Sequence, residues 1–289
     1  MTRLTTVMET NLMIRVLAVS FAALAAAAAP AFAADAPLDV ETTVVAPSDG
    51  VQPDWRVTLK ATGVVGPEFE GARDYSVTGY PGLSIRRPGQ PWKFGAPDDG
   101  FGFALFDSAM FQIGPVARIK SKRDSSDERR IRGVHDVDWA VEPGVFVEFY
   151  PTTNTRIRGE LRHGVGGHDG FVGDIAADWI ERFGAFTVSA GPRLSLGDSD
   201  FMNEYFGVTT RDALRNGRLS RYKADGGIKS VGAAAAVTYD WTPNWSTTAF
   251  GAYNRLVGDA ADSPIVRRLK SKDQFTVGLG VAYTFDFNW

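Results

Sequence analysis

The segment Phe275-Thr276-Val277-Gly278-Leu279-Gly280-Val281-Ala282-Tyr283-Thr284-Phe285-Asp286-Phe287-Asn288-Trp289 puts a large apolar side chain at every odd position. Small or polar residues fill the even positions. A period of two specifies a β-strand with one apolar face and one small or polar face. In a water-soluble sandwich the small face looks at solvent, whereas in an outer-membrane barrel the apolar face looks at lipid and the small face at the lumen. A strand that ends on an aromatic residue resembles the signal by which the barrel-assembly machinery recognises its substrates. Tyr283, Phe285, Phe287 and Trp289 are therefore the expected insertion signal.

The other end of the chain points to the same compartment. Arg3 and Arg15 precede an apolar run from Val16 to Ala29, and Ala31 and Ala33 supply the small side chains of a cleavage site after Ala33. This reads as a secretory signal peptide, because a helical membrane span needs roughly 20 apolar residues and the run is shorter. Residues 34–53, with Pro37, Pro47 and Pro53 among acidic residues, read as a loose periplasmic leader. The barrel is expected over 54–289.

Residues 1–33 hold two of the 31 Lys and Arg and one of the 34 Asp and Glu, so the exported part carries 29 against 33, a net charge of −4. A mildly acidic chain of mixed sign has no nucleic-acid footprint. Cysteine is absent, so stability rests on closed hydrogen bonding and packing. The 31 glycines and the 19 Phe, 8 Tyr and 7 Trp, in a chain without a long apolar run beyond the signal, suit a closed antiparallel barrel in outer-membrane lipid.

Alternation recurs along the chain. Runs are read at Trp55–Val65, Tyr75–Ile85, 92–95, Phe101–Leu105, Phe111–Ile119, Val137–Phe149, Ile157–Val165, Phe171–Trp179, Phe186–Leu196, Val231–Trp241, Trp245–Tyr253 and Phe275–Trp289. Short connections at 107–109, 151–154, 181–184 and 242–244 alternate with those at 120–134, 166–170, 198–227 and 255–272, three of which are long. That is the arrangement of periplasmic turns and extracellular loops. With both ends of the barrel in the periplasm the strand number is even. Counting 92–95 as a strand predicts twelve, and fusion of the weak N-terminal pieces leaves ten.

The strands flanking the turn 151–154 carry charge on the face opposite their apolar one. Pairing 148 with 156, or 148 with 158, sets Glu148 beside an arginine, so Glu142, Glu148, Arg156, Arg158, Glu160 and Arg162 are expected to form a lumenal ladder of opposite charges. Such a ladder serves either as an ion-selecting constriction or as a salt-bridged filling of a narrow barrel, and the filling is the preferred reading.

His135, His163 and His168 lack metal-ligand spacing, and no Gly-x-Ser-x-Gly is present. No catalytic residue, metal site or cofactor is expected. Asp198, Asp200 and Glu204 have the chemistry of a calcium site, but a solvated acidic loop is the preferred reading.

Several strings resemble the family of MltA-interacting proteins (MipA) and OmpV of Gram-negative outer membranes. They are Gly66-Pro67-Glu68-Phe69-Glu70-Gly71 with Asp74-Tyr75, His168-Asp169-Gly170, Gly191-Pro192, Asp198-Ser199-Asp200-Phe201-Met202-Asn203-Glu204-Tyr205-Phe206-Gly207-Val208, and Arg255-Leu256-Val257-Gly258-Asp259-Ala260-Ala261-Asp262-Ser263-Pro264-Ile265-Val266. The resemblance runs from about Trp55 to the C-terminus. It implies a non-enzymatic barrel, with a lytic transglycosylase and a murein synthase as partners, or with roles in solute or antibiotic entry, osmotic adaptation or adhesion. It assigns no catalytic residue. The residues Asp198, Asp200, Tyr205, Phe206, Gly207, Gly258, Asp259, Asp262 and Pro264 are then outer-loop motifs. Tyr205 and Phe206 are expected to fold over the mouth, and Thr209 or Thr210 to cap a short helix.

Overall fold

A computed structural model describes residues 55–86, 93–126 and 128–287. The expected signal peptide and leader, and Trp289, lie outside the described residues. The strands are β1 (Trp55–Pro67), β2 (Tyr75–Arg86), β3 (Phe101–Gly102), β4 (Phe106–Asp107), β5 (Phe111–Lys120), β6 (Ala140–Thr152), β7 (Thr155–His163), β8 (Val165–Gly166), β9 (Phe171–Phe183), β10 (Phe186–Gly197), β11 (Gly227–Asp240), β12 (Trp245–Leu256) and β13 (Asp273–Phe287). Four short helices lie in the connections: α1 (Ser199–Phe206), α2 (Thr210–Asn216), α3 (Gly258–Asp262) and α4 (Pro264–Leu269).

One antiparallel sheet holds all the strands in the order β2-β1-β13-β12-β11-β10-β9-β7-β6-β5-β3, with β4 on β5 and β8 on β6. The sheet curls into a nearly closed transmembrane barrel. The first and last strands pair along their length, Trp55 opposite Phe287 and Leu59 opposite Tyr283. Matching parity keeps odd residues of both strands on one face. That face is exposed and apolar: Leu59, Leu83, Val145, Leu161, Trp179, Leu279 and Phe287 all look outward. The charged residues Glu142, Glu148, Arg156 and Arg162 are buried inside. This is the reverse of a water-soluble protein, and it is stable only where the surrounding medium is hydrocarbon. The long strands, nine to fifteen residues each, suffice to cross it tilted.

The expected count of twelve strands is not met. Ten strands are long, β3 and β4 are two pieces of one interrupted strand along β5, and β8 continues β7 along β6. The difference lies at the expected strand 92–95. Residues 93–95 are not in a strand, and the chain from 93 to 100 rises through the lumen instead of along the wall. Lys93 Nζ meets Asp107 and the Ser108 carbonyl at the turn end. Pro97 lies at the height of Tyr80, and Gly100 at that of Glu160. A rise inside followed by a descent along β3 and β4 restores the parity that a twelfth strand was invoked to satisfy.

Candidate functional site

The lumen is built around β5, β6, β7 and β9, whose inward positions alternate charge. Glu148 lies opposite Arg158, so of the two registers expected the second is found. Arg162 faces Gly144, not Glu142, and reaches Glu142 diagonally with Nε 3.1 Å from Oε2. Across the next ladder Arg156 faces Asp178 and Glu160 faces Asp174. Arg158 donates from Nε to Glu160 at 2.8 Å and lies over the Phe146 ring, 4.2 Å from its centroid. Arg162 also binds Glu160 and Asp174. Small inward partners, Gly144 and Ala176, leave room for these long side chains.

The rising segment completes the network. A tight turn, Ala96 to Asp99, is held by Ala96 N–H donating to Asp99 Oδ2 at 2.8 Å. It presents two adjacent carboxylates to the wall. Asp99 takes a bidentate pair from Arg156, at 2.7 and 2.9 Å, and Asp98 takes one from Arg193, at 2.7 and 3.1 Å. Gly100 N–H donates to Glu160 at 3.0 Å. A β-carbon at Gly100 would sit 2.5 Å from Val116 Cγ2, so this approach requires glycine. On the far side the segment meets Ala234, Ala236 and Phe250, leaving a cavity of about 10 Å³. That is room for about one water. Phe250 in turn lies against Gly278 of β13.

The loop end is roofed by segments of four connections. Phe201, Met202, Tyr205 and Phe206 of α1 pack with Val137, Leu256, Ala260, Ala261 and Val266. Phe69, Ile131, Val134, Val208, Leu219, Ile265 and Leu269 form the adjoining cluster. The helices begin where capping allows. Asp198 accepts from Phe201 N–H at 2.9 Å, and Thr209 with Asp212 forms a reciprocal capping box at the start of α2. Pro264 opens α4 behind Ser263. Polar bonds stitch the loops: Ser263 Oγ donates to the Phe206 carbonyl at 2.6 Å, and Tyr222 Oη to that of Asp259 at 3.0 Å. His135 pairs with Asp212 at 2.9 Å, and Arg123 donates to the Tyr205 carbonyl. Of the motif residues, Tyr205 and Phe206 are buried in the roof, Gly207 ends α1, and Gly258 takes a left-handed φ of 52° at the start of α3. Asp259 accepts from Asp225 N–H at 2.6 Å, whereas Asp200 and Asp262 face solvent.

Roof and ladder meet at residues that the alternation pattern does not single out. Glu70, from the β1–β2 connection, accepts from Lys120 of β5 and, at 2.8 Å, from Lys229 of β11. Burial pushes its carboxyl up, but the two ammonium groups outweigh that and hold it at about 2. Asp212 is likewise held low: burial opposes it, and the hydrogen bonds from His135 and Thr209 prevail. Both lysines lie over the Phe201 ring. His168, in the connection expected at 166–170, is buried with Nε2 3.1 Å from Glu142 and its ring edge-on to Phe201 and Tyr205. Asp98, Asp99, Asp174, Asp178 and Arg193 join the ladder too. Asp174 and Asp178 have the inward parity of β9, but Asp98 and Asp99 have no period to read. Among the described residues no group of three His, Asp or Glu is placed to hold a metal ion.

The family model described as MltA-interacting protein MipA matches residues 59–285. An MltA-interacting protein of Escherichia coli is 24% identical over 224 residues, 74% of this chain and 84% of the relative. Outer membrane protein OmpV of Vibrio cholerae is 38% identical over 92 residues, 32% of this chain and about a third (34%) of OmpV's own length. Among solved structures, the KdgM porin gives a TM-score of 0.39 at 9% identity, covering 79% of this chain and 99% of that one. The outer membrane channel of Pseudomonas putida F1 gives 0.39 at 10%, covering 83% and 100%.

Proposed function

Because the chain belongs to the MipA family, with a model match over most of its length, we propose that it is a non-enzymatic outer-membrane platform that docks cell-wall enzymes at its periplasmic rim. The observation that carries this reading is the filling of the lumen at mid-height beneath a packed roof. The rising segment and Phe250 meet at mid-height around a cavity of about 10 Å³, and four connections pack into a roof at the outer end. A barrel so filled offers its surface, not its bore, and the outer surface is committed to lipid.

The periplasmic rim suits docking because it is stiff. Asn154 Nδ2 donates to the Ile180 carbonyl at 2.8 Å, and Asn244 Nδ2 to that of Thr284 at 2.7 Å, so two of the short turns are each tied to the adjacent strand, β9 and β13. A preorganised surface loses little entropy on binding. The name of the E. coli relative points to MltA, a lytic transglycosylase, as the partner class, and the resemblance adds a murein synthase.

Two measurements on the purified, full-length barrel test this. Affinity capture from solubilised envelopes is expected to recover a lytic transglycosylase, and a bilayer bearing the barrel to show no conductance steps. Regular steps with no cell-wall enzyme captured would replace the platform by a solute channel.

A further inference from the structure

Among the described residues the strand order does not close between its two ends, β2 and β3. Among the described residues no strand pairing joins β2 to β3 or β4, although the two edges are neighbours: the Tyr80 ring of β2 stands edge-on to Phe101 of β3 at 5.8 Å. Unpaired backbone groups facing hydrocarbon cost several kcal/mol each. Such an edge persists in a membrane protein where water or a polar group reaches it.

The prolines show that the gap is written into the chain. Pro115 pairs with Val145 on one side and faces the break between β3 and β4 on the other. Pro143 pairs with Ala117 and faces the break between β7 and β8. Pro192 pairs with Ala233 and faces a break in the β9 ladder. In each case a residue without N–H sits where one neighbour is missing. Pro81, in the middle of β2, pairs with Ala61 and follows the same rule, with the seam on its unpaired side.

The two faces of the seam differ in chemistry. Outside it stand Val77, Leu83 and Ile85 of β2 with Phe101, Phe103 and Leu105, all exposed. The inward positions of the β1–β2 wall beside it are polar: Lys60, Thr62, Thr78 and Ser84, of which Lys60, Thr78 and Ser84 are exposed. On the outer face, small residues of outward parity, Ala61, Gly63, Gly79 and Pro81, with Thr62 and Tyr80 between them, leave a shallow open depression of about 440 Å³. Tyr80 alone among these reaches the rising segment, its hydroxyl donating to the Pro97 carbonyl at 3.3 Å.

We propose that the β2–β3 seam is a lateral portal that takes an anionic amphiphile from the membrane, its head in the lumen near Lys60 and its acyl tail left outside against Leu83 and Phe101. The head would be a phosphate or carboxylate, as in a membrane phospholipid or a free fatty acid. This does not depend on the docking of cell-wall enzymes, since the seam is a property of the barrel wall.

The test places a photoreactive benzoylphenylalanine at Tyr80, at outward-facing Val77, or at Thr248, which faces the lumen from a continuously paired strand. Each full-length variant is reconstituted in phosphatidylglycerol vesicles, with or without oleate, and irradiated. Expected are lipid adducts at 77 and 80 and none at 248, the added mass separating phospholipid from fatty acid. Adducts at 77 alone, or at 80 and 248 equally, would overturn the portal. Should the Tyr80 variant not fold, Tyr80→Cys in this cysteine-free chain answers the same question: labelling by a lipid-soluble maleimide supports the seam, and no labelling refutes it. Lys60→Gln is expected to abolish the preference for phosphatidylglycerol over phosphatidylcholine in the adducts at 80. An unchanged preference would remove Lys60 and the anionic head from the proposal.

Discussion

Replacing Arg156 by Met keeps most of the volume of the side chain and removes its charge from a site with no exposed surface. Asp178 keeps Arg193 at 2.8 Å, and Glu148 keeps Arg158. Asp99 loses its bidentate pair and retains the Ala96 N–H and a distant Arg158 Nε at 3.7 Å. One carboxylate on the rising segment is thus left buried and nearly uncompensated, which costs about 3–5 kcal/mol. Asp99→Asn in the same chain removes that stranded charge, so the double variant is expected to recover about 1–3 kcal/mol relative to additivity. Urea unfolding of the barrel refolded into lipid vesicles, followed by tryptophan fluorescence, measures all four corners of this cycle. A loss below about 1 kcal/mol for Arg156→Met, or strict additivity, would show that the segment is not clamped by this arginine.

Phe206→Ala, in a fully buried roof position, is expected to destabilise the roof by about 3–5 kcal/mol. Limited proteolysis should then trim the outer loops while the barrel keeps its heat-modifiable gel mobility; an untouched roof contradicts the packing. Deleting Pro97–Asp99 together with Phe250→Ala should produce conductance steps in planar bilayers, and a silent variant would mean that the roof alone closes the bore. The Glu70 carboxyl, at about 2 when folded against 4.5 for its ordinary value, favours the closed roof at any pH above about 4.5. That contribution fades as pH falls from about 4.5 to 2, since the unfolded state then binds the proton first. Loop proteolysis with an acid-active protease should accelerate through that window, and less so in Glu70→Gln; identical profiles would assign the acid response to other groups, such as Asp212.

Much of the wall was legible because a strand in lipid repeats a two-residue code. Phe275 to Phe287 exposes Phe275, Leu279, Val281, Tyr283 and Phe287 and pairs with β1 in matching parity. The same code marked the facing charges of β6 and β7, while the choice between pairing 148 with 156 or with 158 waited for the geometry of the turn. It failed at 93–100, where a short aromatic piece between turn signals looked like a strand. Nothing in Lys93-Phe94-Gly95-Ala96 says whether it pairs with a neighbour or turns inward to meet Arg156 of β7 and Arg193 of β10, which lie 57 and 95 residues from their partners Asp99 and Asp98.

Parity, apolar faces and caps are local properties, and so the chain alone specified an outward-greasy barrel, its turn-and-loop alternation and a helix cap at Thr209 or Thr210, while the helix that starts at Asp198 was read only as a loop. The occupancy of the lumen is a long-range property. Asp98 meets Arg193, Glu70 meets Lys229, and His168 meets Glu142 only once the wall has curved. A buried charge selects its partner by which opposite charge is near enough to offset its desolvation. That distance exists in the folded barrel and in no stretch of the sequence.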